Sequence, residues 1–235
     1  MTALEAVSYN DGATALTGWL VRPAGPPRAA LVLYPTIANR NAAMDRRAGM
    51  FAQAGFVVLI ADFYGAIPED FAQAGQWGAA LREDTAGYRV RCTAAIEALR
   101  ARPEAEGLPM VAVGYCMGGQ AALEMAREGH DLAGVVSFHG LLSTGRDAQP
   151  GCITARLLVC HGDADPLVPR DQVMAFWEEM DRAGADWHFH SYSGVRHGFT
   201  DPGSDARGLP AIGYDATADA ASWAATHQFL DAVLG

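Results

Sequence analysis

The chain has 235 residues, 50% hydrophobic and only 19% charged, which suits a single folded unit with a large core and excludes global disorder. Acidic residues outnumber basic ones 27 to 17, a formal charge of −10, so nucleic acid and anionic membranes are poor partners. All 17 basic residues are arginine. Without a lysine amine, Schiff-base chemistry, pyridoxal-phosphate anchoring, the P-loop and the protein-kinase phosphate lysine are ruled out together.

The first residues, Met1-Thr2-Ala3-Leu4-Glu5, lack a basic region followed by an apolar stretch, so no signal peptide is expected. No apolar run approaches the ~20 residues a bilayer span needs. Four cysteines, Cys92, Cys116, Cys152 and Cys160, form no CxxC pair. Free thiols in a reducing cytoplasm are therefore expected.

In chain order, 4–9 and 15–21 flank Asn10-Asp11-Gly12, a hairpin signal. Strands then alternate with helices. Ala29 to Tyr34 and Phe56 to Ala61 are continuous apolar runs expected of strands covered on both faces, with a helix from Met44 to Gln53 between them. The helical spacing of Tyr88, Cys92, Ile96 and Leu99 predicts one long helix from Leu81 to Arg100. Strands at 110–114, 134–138, 156–160 and 187–192 alternate with helices at 120–127, 172–183 and 219–234. A Gly/Pro/Asp-rich irregular segment occupies 199–214. This alternation predicts a mainly parallel central sheet with helices on both faces, in one domain over residues 1–235. In such sheets sites gather beyond the carboxyl ends of the strands.

One such end reads Gly114-Tyr115-Cys116-Met117-Gly118-Gly119, a G-x-C-x-G nucleophile elbow between an apolar strand and a helix. The sharp turn needs neighbours without side chains. The helix start lowers the thiol pKa, and the Met117 amide can serve an oxyanion. The elbow predicts an acid and then a histidine downstream. Asp163 and Asp165 compete for the acid in His161-Gly162-Asp163-Ala164-Asp165-Pro166, and Asp165 is better placed to reach inward. The histidine is His197, on a loop between Gly194 and Gly198.

Together, G-Y-C-M-G-G, H-G-D-A-D-P-L-V-P and R-H-G-F resemble the dienelactone hydrolase family, a cysteine branch of the α/β-hydrolase superfamily, over nearly the whole chain. The resemblance implies the α/β-hydrolase fold, Cys116 as nucleophile, His197 as base and Asp165 as its orienting acid. It implies a second oxyanion amide at Thr36 or Ile37, no cofactor, and a small ester or lactone substrate cleaved through a thioester. Family members that open dienelactone have a glutamate near Pro35-Thr36 and an arginine four residues after the histidine. Here the first is missing and the second position is Asp201. Arg82, Arg89 or Arg196 are the candidates for replacing that cation.

Tyr64, with Phe63 and Trp77, is expected on an apolar pocket wall, and His139 and Phe199 are further pocket candidates. His161 is expected to cap a strand end through hydrogen bonds. His188 and His190 share one strand face, and a metal with His197 or Asp163 is the minor reading there. No metal is expected. A non-catalytic ligand-binding α/β-hydrolase-fold protein, an acyltransferase and a metal-dependent hydrolase are the rival functions, and residues 200–214 are a lid or a plain loop.

Overall fold

The computed structural model describes residues 4–235. Its sheet has eight strands, β1 (Glu5–Asn10), β2 (Ala15–Val21), β3 (Ala29–Tyr34), β4 (Phe56–Ile60), β5 (Met110–Tyr115), β6 (Gly134–Phe138), β7 (Arg156–Gly162) and β8 (Trp187–Tyr192). They lie in the order β1-β2-β4-β3-β5-β6-β7-β8. From β4 to β8 all neighbours are parallel, while β1 and β2 form an antiparallel edge. Every residue of β3, β4, β5 and β6 is buried. That is why these strands read as nearly continuous apolar runs, broken only by Ser137 in β6, rather than as alternations.

Six helices cover the sheet: α1 (Ala42–Gln53), α2 (Phe71–Glu83), α3 (Thr85–Arg100), α4 (Met117–Arg127), α5 (Arg170–Ala183) and α6 (Ala216–Leu234). One core joins the sheet to α3, α4 and α5 through Cys92, Ile96, Leu123 and Phe176. The other joins it to α1 and α6 through Phe51 and Phe229. Among the described residues no helix is long and apolar enough to cross a membrane, and the four cysteines are free thiols.

The long helix expected from Leu81 to Arg100 is two helices. The break is Asp84, whose backbone leaves the helical region (ψ 86°) and whose carboxylate accepts from the Gly87 amide at 3.0 Å. α2 went unread because it buries only Ala74 and Gly78 and so carries no apolar stripe. Helix α4 starts at Met117, three residues before the expected Gln120, which places Cys116 at its N-cap.

α4 is held from behind by buried charges. Glu124 pairs with Arg89 of α3 at 2.6 Å and with Arg127 at 3.0 Å, and Arg127 pairs with Glu179 of α5 at 2.8 Å. Each guanidinium also caps a carbonyl, Arg89 that of Arg146 and Arg127 that of Leu142, both at 2.7 Å. Removing one member leaves a desolvated charge without its partner. Glu124→Leu is expected to destabilise the protein by about 3–5 kcal/mol in urea unfolding, and a loss below 1 kcal/mol would show that the network does not hold the helix.

Candidate active site

The site is built where β5 turns into α4. Cys116 stands at φ 57°, ψ −122°, a region an L-residue occupies only when its surroundings force it. A Cβ on Gly114 would sit 1.8 Å from the Gly118 carbonyl oxygen, and one on Gly118 would sit 2.1 Å from that of Tyr34. Both positions therefore demand glycine, Gly114 because the first turn of α4 folds back over it and Gly118 because that turn begins almost in contact with β3. The Cys116 amide donates to the Phe138 carbonyl at 3.0 Å, tying the turn to β6.

This close approach also brings in the loop after β3. Asn39, at φ 58°, donates through Nδ2 to Asp62 Oδ1 at 2.7 Å and to the Ala66 carbonyl at 3.0 Å. Its own amide donates to the Thr36 carbonyl at 2.9 Å, closing a tight turn around Ile37. The amides of Ile37 and Met117 both bear on the Cys116 sulfur. Of the two amides expected from the sequence, Ile37 is the one that acts on the Cys116 sulfur. Thr36 contributes to the cavity wall, and its hydroxyl accepts from the Ala38 amide.

Asp165 and His197 meet Cys116 from the ends of β7 and β8. His197 Nδ1 donates to Asp165 Oδ2 at 2.7 Å, and Asp165 Oδ1 accepts from the Leu167 amide at 2.9 Å. Both residues are buried. Asp163, the competing acid, points outward and pairs with Arg170 at 2.7 Å. His197 Nε2 is buried without a partner in hydrogen-bonding geometry, and Cys116 is the group that acts on it through charge.

Burial opposes a thiolate at Cys116, but the His197 charge and the Met117 and Ile37 amides outweigh it and lower the thiol pKa. Burial likewise opposes the imidazolium, yet the thiolate and Asp165 raise His197 to about 10. Both shifts favour the thiolate and imidazolium forms of the pair. Beside it His139 is kept neutral, first by burial and then by the charges of His197 and Arg47. Its Nε2 shares a hydrogen bond with the Thr200 hydroxyl at 2.9 Å.

Thr36, Ile37, Met44, Phe71, Tyr115, Cys116, His139, Leu167 and His197 line a narrow cavity of about 70 Å³, completed by Gly198, Thr200, Asp201, Arg207 and Ile212. A roomier hollow of about 530 Å³ over Val21, Arg46 and Met50 has no thiol or imidazole in its lining. Two expected wall residues lie behind the wall. Tyr64 packs on Trp77 with its hydroxyl 3.8 Å from Met117 Sδ, and Phe199 is fully buried against His139.

His161 was expected to cap a strand, but neither ring nitrogen makes a hydrogen bond and the ring packs on Phe189. His188 packs against Phe229, and among the described residues no three His, Cys, Asp or Glu side chains are grouped to hold a metal. The three arginines named as replacement cations are engaged elsewhere. Arg82 donates to the Gly78 carbonyl, Arg89 pairs with Glu124, and Arg196 donates to the Pro210 carbonyl. The arginine at the cavity is Arg207, which sequence reasoning missed together with Met44, Phe71, Leu167 and Ile212. Its only sequence signal is its place in the irregular segment that follows His197. That segment forms a wall of the cavity, tied down where the Gly213 amide donates to the His197 carbonyl at 3.0 Å.

A sequence model of the Dienelactone hydrolase family matches residues 16–234. The crystal structure of a dienelactone hydrolase-like promiscuous phosphotriesterase from metagenomic libraries superposes with a TM-score of 0.94 and 36% identity, covering 100% of this chain and 99% of that one. A protein of Bradyrhizobium sp named "Probable 2-oxo-3-(5-oxofuran-2-ylidene)propanoate lactonase" is 26% identical over 216 residues, 87% of each chain. An uncharacterized protein of Caenorhabditis elegans is 38% identical over 142 residues, 60% of this chain and 90% of that one.

The coupling of Cys116 and His197 can be read from alkylation of the thiol by iodoacetamide across pH. Wild-type alkylation is expected to titrate below the ordinary thiol value. In His197→Ala burial is no longer opposed by the imidazolium, so the midpoint should move above it. Equal midpoints would contradict the ion pair.

Proposed function

This chain belongs to the dienelactone hydrolase family, and we propose that it hydrolyses a small ester or lactone through a thioester on Cys116. The observation that carries this reading is the meeting, in one cavity, of a cysteine at a strained strand-to-helix turn with a histidine held by a buried carboxylate at 2.7 Å.

The thiolate attacks the carbonyl carbon, a carbon–sulfur bond forms, and the carbonyl electrons move onto oxygen. The Ile37 and Met117 amides receive that oxyanion, each donor being worth about 3 kcal/mol in comparable sites. The carbon–oxygen bond then breaks and the leaving alkoxide takes the Nε2 proton of His197, giving the thioester and a neutral imidazole. With the thiolate consumed, the main charge that raised the His197 pKa is gone. The ring can then remove a proton from water, whose oxygen attacks the thioester. Collapse expels the Cys116 thiolate, releases the acid and leaves the proton on His197, restoring the resting pair. Asp165 holds the ring with Nε2 toward the sulfur throughout.

A second reading is favoured by the 36% identical structure described as a promiscuous phosphotriesterase. A thiolate flanked by two amides also suits attack on the phosphorus of a neutral aryl phosphotriester.

Cys116→Ala is expected to lower turnover of an aryl ester by at least about 10³-fold without changing the unfolding midpoint. Retained turnover in a folded variant would exclude the thioester. Because acylation needs both the thiolate and the imidazolium, kcat/KM should fall on the acid side as Cys116 protonates. On the alkaline side it should fall near pH 10, as His197 loses its proton.

A further inference from the structure

Among the described residues lining the cavity, two charged side chains lie outside the triad, and they are turned on each other. Arg207 donates to Asp201 Oδ2 at 2.6 Å, while Asp201 Oδ1 accepts from the Gly203 amide at 2.8 Å. Asp201 is half-buried and Arg207 lies at the exposed rim of the cavity, with side-chain exposures of 20% and 31%.

The segment that carries them has little freedom to separate them. Its two ends are joined where the His197 amide donates to the Ala211 carbonyl at 3.1 Å and the Gly213 amide returns to the His197 carbonyl. Near its start, Arg46 and Arg47 both donate to the Thr200 carbonyl, at 3.0 and 2.9 Å. Asp201 is the next residue.

Outside the triad the rest of the wall carries no cation. Ile37, Met44 and Ile212 are apolar, and Phe71 and Leu167 stand exposed at the mouth although both are large hydrophobic side chains. In its thiolate form the triad already carries one net negative charge, from Cys116, His197 and Asp165 together. A guanidinium free to act would offset this, but Asp201 cancels it.

We infer that Asp201 is a specificity-determining residue: by pairing with Arg207 it keeps the cavity free of usable positive charge, so that the enzyme takes uncharged, apolar esters or lactones and rejects those bearing a carboxylate. The inference rests on the Cys116 reading above and supplies its substrate class.

The test is a matched pair of aryl esters whose acyl chains differ at the tip, 4-nitrophenyl butyrate and mono-4-nitrophenyl succinate. The readout is the ratio of their kcat/KM values, which cancels any loss of folded protein. The wild type should favour the butyrate by about tenfold or more, the size of one modest charge–charge contact. Asp201→Asn frees Arg207 and should move the ratio toward the succinate by about tenfold. Arg207→Gln leaves Asp201 bare and should move it the other way, and the double variant should return near the wild-type ratio. A ratio within twofold of wild type in both single variants would overturn the inference, as would a gain in Asp201→Asn that survives in the double variant. Turnover of the butyrate by Cys116→Ala would overturn the thioester reading instead, and leaves the ratios to be judged separately.

Discussion

A cysteine held at φ 57°, ψ −122° needs empty space on both sides of it, and much of the site follows from how that space is made. With no side chain at Gly114 or Gly118, α4 can start against the carbonyls of Tyr34 and Pro35. Gly119 does the same toward β6, where a Cβ would lie 2.5 Å from Ser137 Oγ. The contact that strains Cys116 therefore also places the β3 loop, and with it the Ile37 amide, beside the sulfur. One close packing between a helix start and two strands supplies the turn, the positive end of the helix and the second amide donor. The buried Glu124 network and the Tyr88 hydroxyl, which donates to the Met117 carbonyl at 2.9 Å, resist any retreat of that helix.

Charge is arranged around the same point. An enclosed thiol and an enclosed imidazole would each prefer to be neutral. Placed together they stabilise each other's ions, with Asp165 fixing the ring from its far side. His139, tilted edge-on to His197 at 5.1 Å between ring centres, stays neutral and so does not compete for the proton. Under the proposed mechanism this charge pattern lets one histidine act first as acid and then as base, because the partner that holds its proton is consumed when the thioester forms.

The parts of this arrangement legible in the sequence are those set by local sterics or by chain order. Fully buried parallel strands show as short apolar runs, and β6 and β8 fall on their expected residues. Cys116 stands out because a sharp turn excludes side chains two residues away, and Asp165 and His197 follow from strand ends in sequence order. What was hidden depends on tertiary contact. α2 lacks a stripe because it lies over the site through Gly78, whose Cβ would come within 3.2 Å of Met117 Sδ, Ile37 and the Tyr64 hydroxyl. Arg207 lies ten positions beyond His197 in a segment with no periodicity, and only the fold turns it back to Asp201. His161 shows the opposite failure, since a polar residue at a strand end suggested a cap and the structure leaves its ring without a hydrogen bond.

The proposed reaction requires a covalent bond between the Cys116 sulfur and the acyl group of the substrate. Rapid acid quench of the enzyme with an aryl ester, followed by peptide mass analysis, tests it directly. An acyl mass increment is expected on the peptide containing Cys116, formed within a turnover, removed by hydroxylamine and missing in His197→Ala at the same time point. Full turnover with no acyl increment on Cys116 at any quench time would contradict it.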